Sequence, residues 1–249
     1  MSAPSDDSTG NALPDNIKAR LKASYDIIAP AYNSWTIPNS GQRLQYLDKL
    51  TALVPQLNGH GDSRDTTTTT TSTASSTGAK ILELGCGCGV PVTQKLLAYP
   101  NSHVLANDMS STQIKLAKEA LLVDNALQDR IEFLEGDMAG LSIEPGSLDA
   151  VLGLYSIFHL PRAEQPAMLG RIADWLKPGG YFLGNFAGEE AEAVVFDKWL
   201  HDDGWMFYSG LGAEGTLGMV RDAGFEVIVG EVKEDVVKAE FLWVIARKL

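Results

Sequence analysis

The chain is poor in cysteine, in basic residues and in long apolar runs, and each shortage excludes something. Cys86 and Cys88 are its only cysteines. One residue apart, they are badly placed for a disulfide, and no ligand partners in sequence reach complete a zinc set. They read as small loop residues, and no metal site is expected. Lysine and arginine number 20 against 32 aspartates and glutamates, a net charge of −12. Phosphate backbones are bound by basic surfaces, so nucleic acid is not an expected partner. No uninterrupted apolar stretch has transmembrane length. The opening MSAPSDDSTGN is polar and acidic, unlike a signal peptide. A soluble, cytoplasmic protein is the expectation. Strings of the forms G-x-S-x-G, H-E-x-x-H and C-x-x-C are missing too, which removes the corresponding hydrolase, metalloprotease and dithiol chemistries.

What is present suffices for a full core. Of 249 residues, 45% are hydrophobic and 21% charged, ordinary proportions for one large globular domain or two small ones. Residues 1–14 form a polar tail expected to be disordered. Residues 15–57 are helical in pattern: Ile17, Leu21, Tyr25 and Ile28 recur at spacings of three and four. Pro30 interrupts that pattern, Pro38 breaks the next stretch, and Leu44, Leu47, Leu50, Leu53 and Val54 form the stripe of a second helix. Residues 58–78, NGHGDSRDTTTTTTSTASSTG, are a low-complexity loop with almost nothing to bury.

The centre of the reading is ILELGCGCGV, residues 81–90. A short apolar run ending in alternating glycines suggests a buried strand feeding a tight turn. Glycine there tolerates positive φ and lets backbone approach a ligand. A dinucleotide fingerprint needs Gly or Ala at the sixth position, but Val90 and Val92 stand there, so an NAD-dependent oxidoreductase is disfavoured.

The spacing E-x-G-x-G-x-G resembles motif I of the class I S-adenosylmethionine (SAM) methyltransferases. That resemblance implies an α/β fold: a doubly wound, mostly parallel seven-stranded sheet with a reversed last strand, Rossmann-like, under an N-terminal helical cover. The core would span 79–249, with an acceptor-pocket insertion at about 187–215. Glu83 would help hold the cofactor's amino group, and Gly85, Cys86, Gly87 and Gly89 would lie under its methionine and ribose. Asp108, at the end of HVLANDMS and 19 residues beyond Gly89, fits the ribose hydroxyls, with Met109 beside it. Asp137 and Met138 resemble the adenine site, and Leu154, Tyr155 and Ser156 would border the methionine and the acceptor. The runs LKPGG (176–180) and SIFHLP (156–161) also look like this family. The [DN]-P-P-[YFW] signature of its base- and glutamine-directed members is absent after the fourth strand.

The resemblance implies SAM as cofactor, S-adenosylhomocysteine as product, and methyl transfer to the O, N or S atom of a small-molecule acceptor. A SAM-binding protein without transfer is the alternative. SYDIIAPAYNSW resembles the family's N-terminal cover, so Tyr25, Tyr32 and Trp35 are acceptor-pocket candidates, joined by His159, Trp205 and Tyr208. Catalytic-base candidates are His159, following the fourth strand, and His201, beside Asp202 and Asp203; His60 lies in the low-complexity loop and His103 begins the second strand. Residues 189–215 read as irregular. FEVIVGEVKE and EFLWVIARKL read as two closing antiparallel strands.

Overall fold

The computed structural model describes residues 13–57, 78–123, 125–235 and 239–249. The expected tail, except its last two residues, and the low-complexity loop with His60, except Gly78, lie outside the described residues.

Two helices, α1 (Ile17–Thr36) and α2 (Gly41–Leu53), precede the sheet. Strands β1 (Ala79–Leu84), β2 (Ser102–Asp108), β3 (Ile131–Glu135), β4 (Leu148–Gly153) and β5 (Leu176–Ala187) alternate with α3 (Val92–Leu97), α4 (Ser111–Leu121) and α5 (Gln165–Trp175). A hairpin of β6 (Glu190–Asp197) and β7 (Trp205–Leu211) follows, then α6 (Gly212–Asp222), β8 (Phe225–Glu234) and β9 (Glu240–Lys248). The main sheet has seven strands in the order β3-β2-β1-β4-β5-β9-β8. Strands β1 to β5 pair in parallel, while β9 runs antiparallel to both β5 and β8. This is the doubly wound sheet with one reversed strand that the sequence led one to expect.

Burial follows the pleat. Leu82 and Leu84 of β1, Val151 of β4, and Leu242, Val244 and Ala246 of β9 pack with Met168, Leu169 and Ile172 of α5 and Val220 of α6. Their neighbours Ile81, Ala150, Leu152, Trp243 and Ile245 face the other way, onto Tyr46, Leu47 and Leu50 of α2 and Leu96 of α3. Successive side chains of a strand point to opposite faces, so the near-continuous apolar runs are what a sheet covered on both sides requires. The strand order reverses between β1 and β4. Loops leaving their carboxyl ends diverge there and open a crevice, where doubly wound sheets bind ligands.

Two expectations are corrected. Pro30 does not interrupt the first helix; α1 runs through it. A proline inside a helix removes one backbone bond and costs about 3 kcal/mol. Anchors on both sides offset this: Ser24 Oγ accepts from Trp205 N at 2.7 Å, and Asn33 exchanges two amide hydrogen bonds with Gln113, at 3.0 and 3.2 Å. Nor is 189–215 irregular. It holds the antiparallel pair β6–β7, separate from the main sheet. The chain leaves and returns at one point, where Ala213 N donates to Gly188 O at 3.0 Å.

Candidate functional site

The loop after β1 is hooked to the end of β2. Backbone N–H groups of Gly85 and Cys86 both donate to Asn107 O, each at 2.8 Å. Gly85, Gly87 and Gly89 have φ of +74°, +57° and +73°, the left-handed region. The three differ in what a Cβ would meet. At Gly85 it would fall 2.5 Å from Ser156 Cβ, and at Gly89 2.5 Å from Leu121 Cδ1. At Gly87 the nearest atom is Gln113 Oε1 at 4.0 Å, so that missing side chain leaves open space. Gly85 and Gly87 line a cleft of about 970 Å³, open solvent at its mouth included; Gly89 is not on its wall.

Asp108 closes β2 on the cleft wall. Its Oδ2 accepts from Gly87 N at 2.9 Å and its Oδ1 from Ser110 N at 2.8 Å. Burial raises its pKa to about 6, against the pull of those backbone donors. The carboxyl is therefore an anion at neutral pH, with both oxygens oriented by backbone. Capping of α4 falls to Ser110, whose hydroxyl accepts from Gln113 N at 3.1 Å. Met109, also on the wall, packs toward Ile17 and Leu21.

Glu83 is the last residue but one of β1 and is 3% exposed. Thr93 Oγ1 donates to it at 2.5 Å, yet burial pushes its pKa up to about 8. Arg43 of α2, another wall residue, holds its guanidinium 4.5 Å from the centre of the Tyr155 ring. Asp137 follows β3 and caps a short turn, Oδ1 accepting from Ala139 N at 2.9 Å; Met138 lies beside it on the wall.

Leu154 and Tyr155 leave β4. Tyr155 has φ +53°, uncommon for a bulky residue and a mark of local strain. Its N–H donates to Asn185 Oδ1 at 2.6 Å, its hydroxyl to the Asp235 carboxylate, and its ring packs edge-on to Phe241 and Trp243. Next to it, the Ser156 hydroxyl is buried on the cleft wall with no protein partner. A buried polar atom without a partner in a cleft suits a ligand's polar group.

Helix α1 closes the opposite side with Tyr25 and Tyr32, whose rings meet edge to face at 5.4 Å. His159 lies at the end of the turn Ile157–His159. Its Nδ1 meets the Phe207 carbonyl of β7, and its Nε2 meets the Tyr25 hydroxyl at 3.0 Å. A carbonyl only accepts, so Nδ1 carries the proton and Tyr25 O–H donates to Nε2. Burial lowers the His159 pKa to about 4 and raises the Tyr25 phenol well above its usual range.

The structure thus gathers Glu83, Gly85, Cys86, Gly87, Asp108, Met109, Asp137, Met138, Leu154, Tyr155, Tyr25, Tyr32 and His159 around one cleft. It does not bring the other candidates to that wall. Trp35 packs edge-on to Tyr32 and Trp199. Trp205 is buried with Ile17, Leu21 and Phe207 beneath the Arg20 guanidinium. Tyr208 lies against Phe158 and Phe196. His201 is half-exposed on the hairpin turn, its Nδ1 accepting from Asp203 N at 3.0 Å, with no cleft neighbour. Sequence reading missed Lys18, Asn33, Arg43 and Gln113, all on the wall, whereas Ser156 stands there beside Leu154 and Tyr155.

Three comparisons with known proteins bear on this cleft. Residues 81–180 match the model of a family described as a methyltransferase domain. Two curated relatives are plant enzymes named phosphoethanolamine N-methyltransferase 1. The wheat protein is 34% identical over 89 residues, covering 35% of this chain and 17% of its own length. The Arabidopsis thaliana protein is 27% identical over 149 residues, covering 59% and 28%. The match thus spans less than a third of either relative. Among solved structures, Burkholderia thailandensis 1,6-didemethyltoxoflavin-N1-methyltransferase, bound to 1,6-didemethyltoxoflavin and S-adenosylhomocysteine, superposes with a TM-score of 0.66 at 17% identity, covering 99% of this chain and 94% of that one. That likeness establishes the fold.

Proposed function

We infer that this chain, which has the class I methyltransferase fold and whose residues 81–180 match the model of a methyltransferase domain, transfers a methyl group from SAM to an O, N or S atom of a small molecule. One observation carries the reading: an oriented carboxylate, Asp108, faces a glycine loop whose middle glycine leaves open space.

The donor set fits the group. An acceptor-only carboxylate at Asp108 suits two ribose hydroxyls. Asp137 suits an exocyclic amine, with Met138 against the base. Glu83 suits an ammonium and Arg43 a carboxylate, as the two ends of an amino acid require. The open position at Gly87 would be filled by any side chain. When bound, the cofactor supplies an electrophilic methyl on a sulfonium.

The chain's own residues orient and exclude water. Helix α1 shuts the acceptor side with the Tyr25 and Tyr32 rings, and β7 packs behind that helix. The Tyr25 hydroxyl donates to His159, so its lone pairs face inward. It can take the proton of an acceptor hydroxyl or amine while passing its own to Nε2. An acceptor that loses its proton to solvent needs no such help. Residues 15–57 serve as cover, 79–249 as core, and 187–215 as the module that shapes acceptor choice.

Several properties support a small acceptor. The relatives named above take phosphoethanolamine or 1,6-didemethyltoxoflavin. A net charge of −12 suits neither nucleic acid nor an anionic surface. No helix among the described residues is long and apolar enough to cross a membrane.

Calorimetry with S-adenosylhomocysteine tests the cofactor, and incubation with methyl-labelled SAM and a metabolite extract tests transfer. Binding heat together with a labelled small molecule is expected. An intact protein that gives neither ends the reading.

A further inference from the structure

We propose that Lys18 is a positioning residue for base recognition: it holds the Asp137 carboxylate in the orientation that distinguishes an adenine amine from a ring carbonyl, and so ties the seating of α1 to the identity of the bound base. The proposal rests on the reading of Asp137 as the adenine contact.

Lys18 projects from the first turn of α1 onto the cleft wall. Its Nζ lies 2.9 Å from Asp137 Oδ2 and 2.6 Å from Glu164 Oε2. Asp137 Oδ1 accepts from Ala139 N at 2.9 Å. One oxygen is thus fixed by backbone and the other by Lys18, which sets the plane of the carboxylate. A carboxylate only accepts, so it takes an exocyclic amine and repels a ring carbonyl in the same place. Remove Lys18 and the Oδ2 side is free to turn, because the Asp137 side chain is 37% exposed and meets no further constraint from that helix.

The same side chain belongs to the strap over the cleft. Further along α1, Asp26 Oδ1 accepts from Ser110 Oγ at 2.6 Å and Thr112 N at 3.1 Å. Asn33 pairs with Gln113, and Tyr25 with His159. Those anchors serve the ribose side and the acceptor side. Lys18 anchors the base end, so a correctly held base and a seated α1 share one ion pair.

The test compares dissociation constants of S-adenosylhomocysteine and S-inosylhomocysteine, which bears a carbonyl where adenine has its amine. Wild type is expected to prefer the adenosyl form by roughly 10–100-fold, the range for a hydrogen bond to a charged acceptor against an unpaired or repelled group. Lys18→Met should compress that ratio to within about threefold while changing inosyl affinity little, and Lys18→Arg should restore most of it. A purely structural role would weaken both ligands equally. Equal weakening, or an unchanged ratio, overturns the proposal. Asp137→Ala separates the two levels. If it keeps the wild-type ratio, the adenine reading falls and this inference with it. If it collapses the ratio and Lys18→Met does not, Lys18 alone is refuted. Should Lys18→Met lose its helical signal, Lys18→Gln is read against the same criteria.

Discussion

The hydroxyl of Tyr25 meets His159 Nε2 at 3.0 Å across the cleft, although 134 positions separate them in the chain. The pair joins the helical cover to the turn after β4, and its other anchor is the Phe207 carbonyl of the hairpin. Three separate pieces of chain therefore meet along one run of hydrogen bonds, the proposed proton path.

Tyr25→Phe breaks that path and leaves the ring in place. Label transfer from SAM should slow by roughly 100-fold, the low end of what positioned acid–base groups contribute. Affinity for S-adenosylhomocysteine should stay within about threefold. An initial-rate assay on the labelled product decides: an unchanged rate removes Tyr25 from proton transfer.

Asp108→Ala should cost roughly 100–1,000-fold in cofactor affinity, as two hydrogen bonds to an ionised acceptor disappear. The wild type carries a pH signature of the same group. Its pKa is raised to about 6, so binding that needs the anion weakens as pH falls through 6. Calorimetric titrations from pH 5 to 8 should show this slope in wild type and its absence in Asp108→Ala.

Glu83 predicts a stability effect of opposite character. Burial raises its folded pKa to about 8, well above the usual carboxylate value, so the fold favours the protonated form. Its contribution is fully present below the unfolded value and is lost as pH rises toward 8. Glu83→Gln removes the ionisation, so its melting temperature should rise relative to wild type as pH goes from 5 to 8, by on the order of 1–3 kcal/mol in stability. At pH 7 cofactor binding to wild type should also release a proton, seen as heats that differ between buffers of different ionisation enthalpy.

The loop glycines separate binding from folding. Both Gly87→Ala and Gly89→Ala carry the left-handed backbone cost of about 1–2 kcal/mol. Only the second drives a methyl into Leu121. Gly89→Ala should therefore lose more stability in a thermal melt. Gly87→Ala should fold and lose cofactor affinity, because its methyl enters the cleft. Reversal of that order contradicts the geometry.

The strand-end half of the cleft was legible because it is local. Gly85, Gly87, Asp108, Asp137 and Leu154 sit at or just after strand ends, and a parallel sheet brings those ends to one edge whatever the helices do. Lys18, Arg43 and Gln113 were not legible, since their place depends on how α1, α2 and α4 dock. Trp205 and Tyr208 were drawn by aromatic character toward the pocket. The alternation of β7 instead turns Trp205 and Phe207 into a buried cluster with α1, so these rings shape the wall from behind. Pro30 misled for a related reason: tertiary anchors override a local helix breaker.

The hairpin between Gly188 and Ala213 departs from the main sheet and closes at one point, where Ala213 N donates to Gly188 O, yet it is also tied down along β7: Trp205 N donates to Ser24, the Phe207 carbonyl meets His159, and Gln165 donates to Ser209 O. A substitution along β7 is therefore transmitted to α1 and to the turn after β4, and the segment cannot be traded without its surroundings.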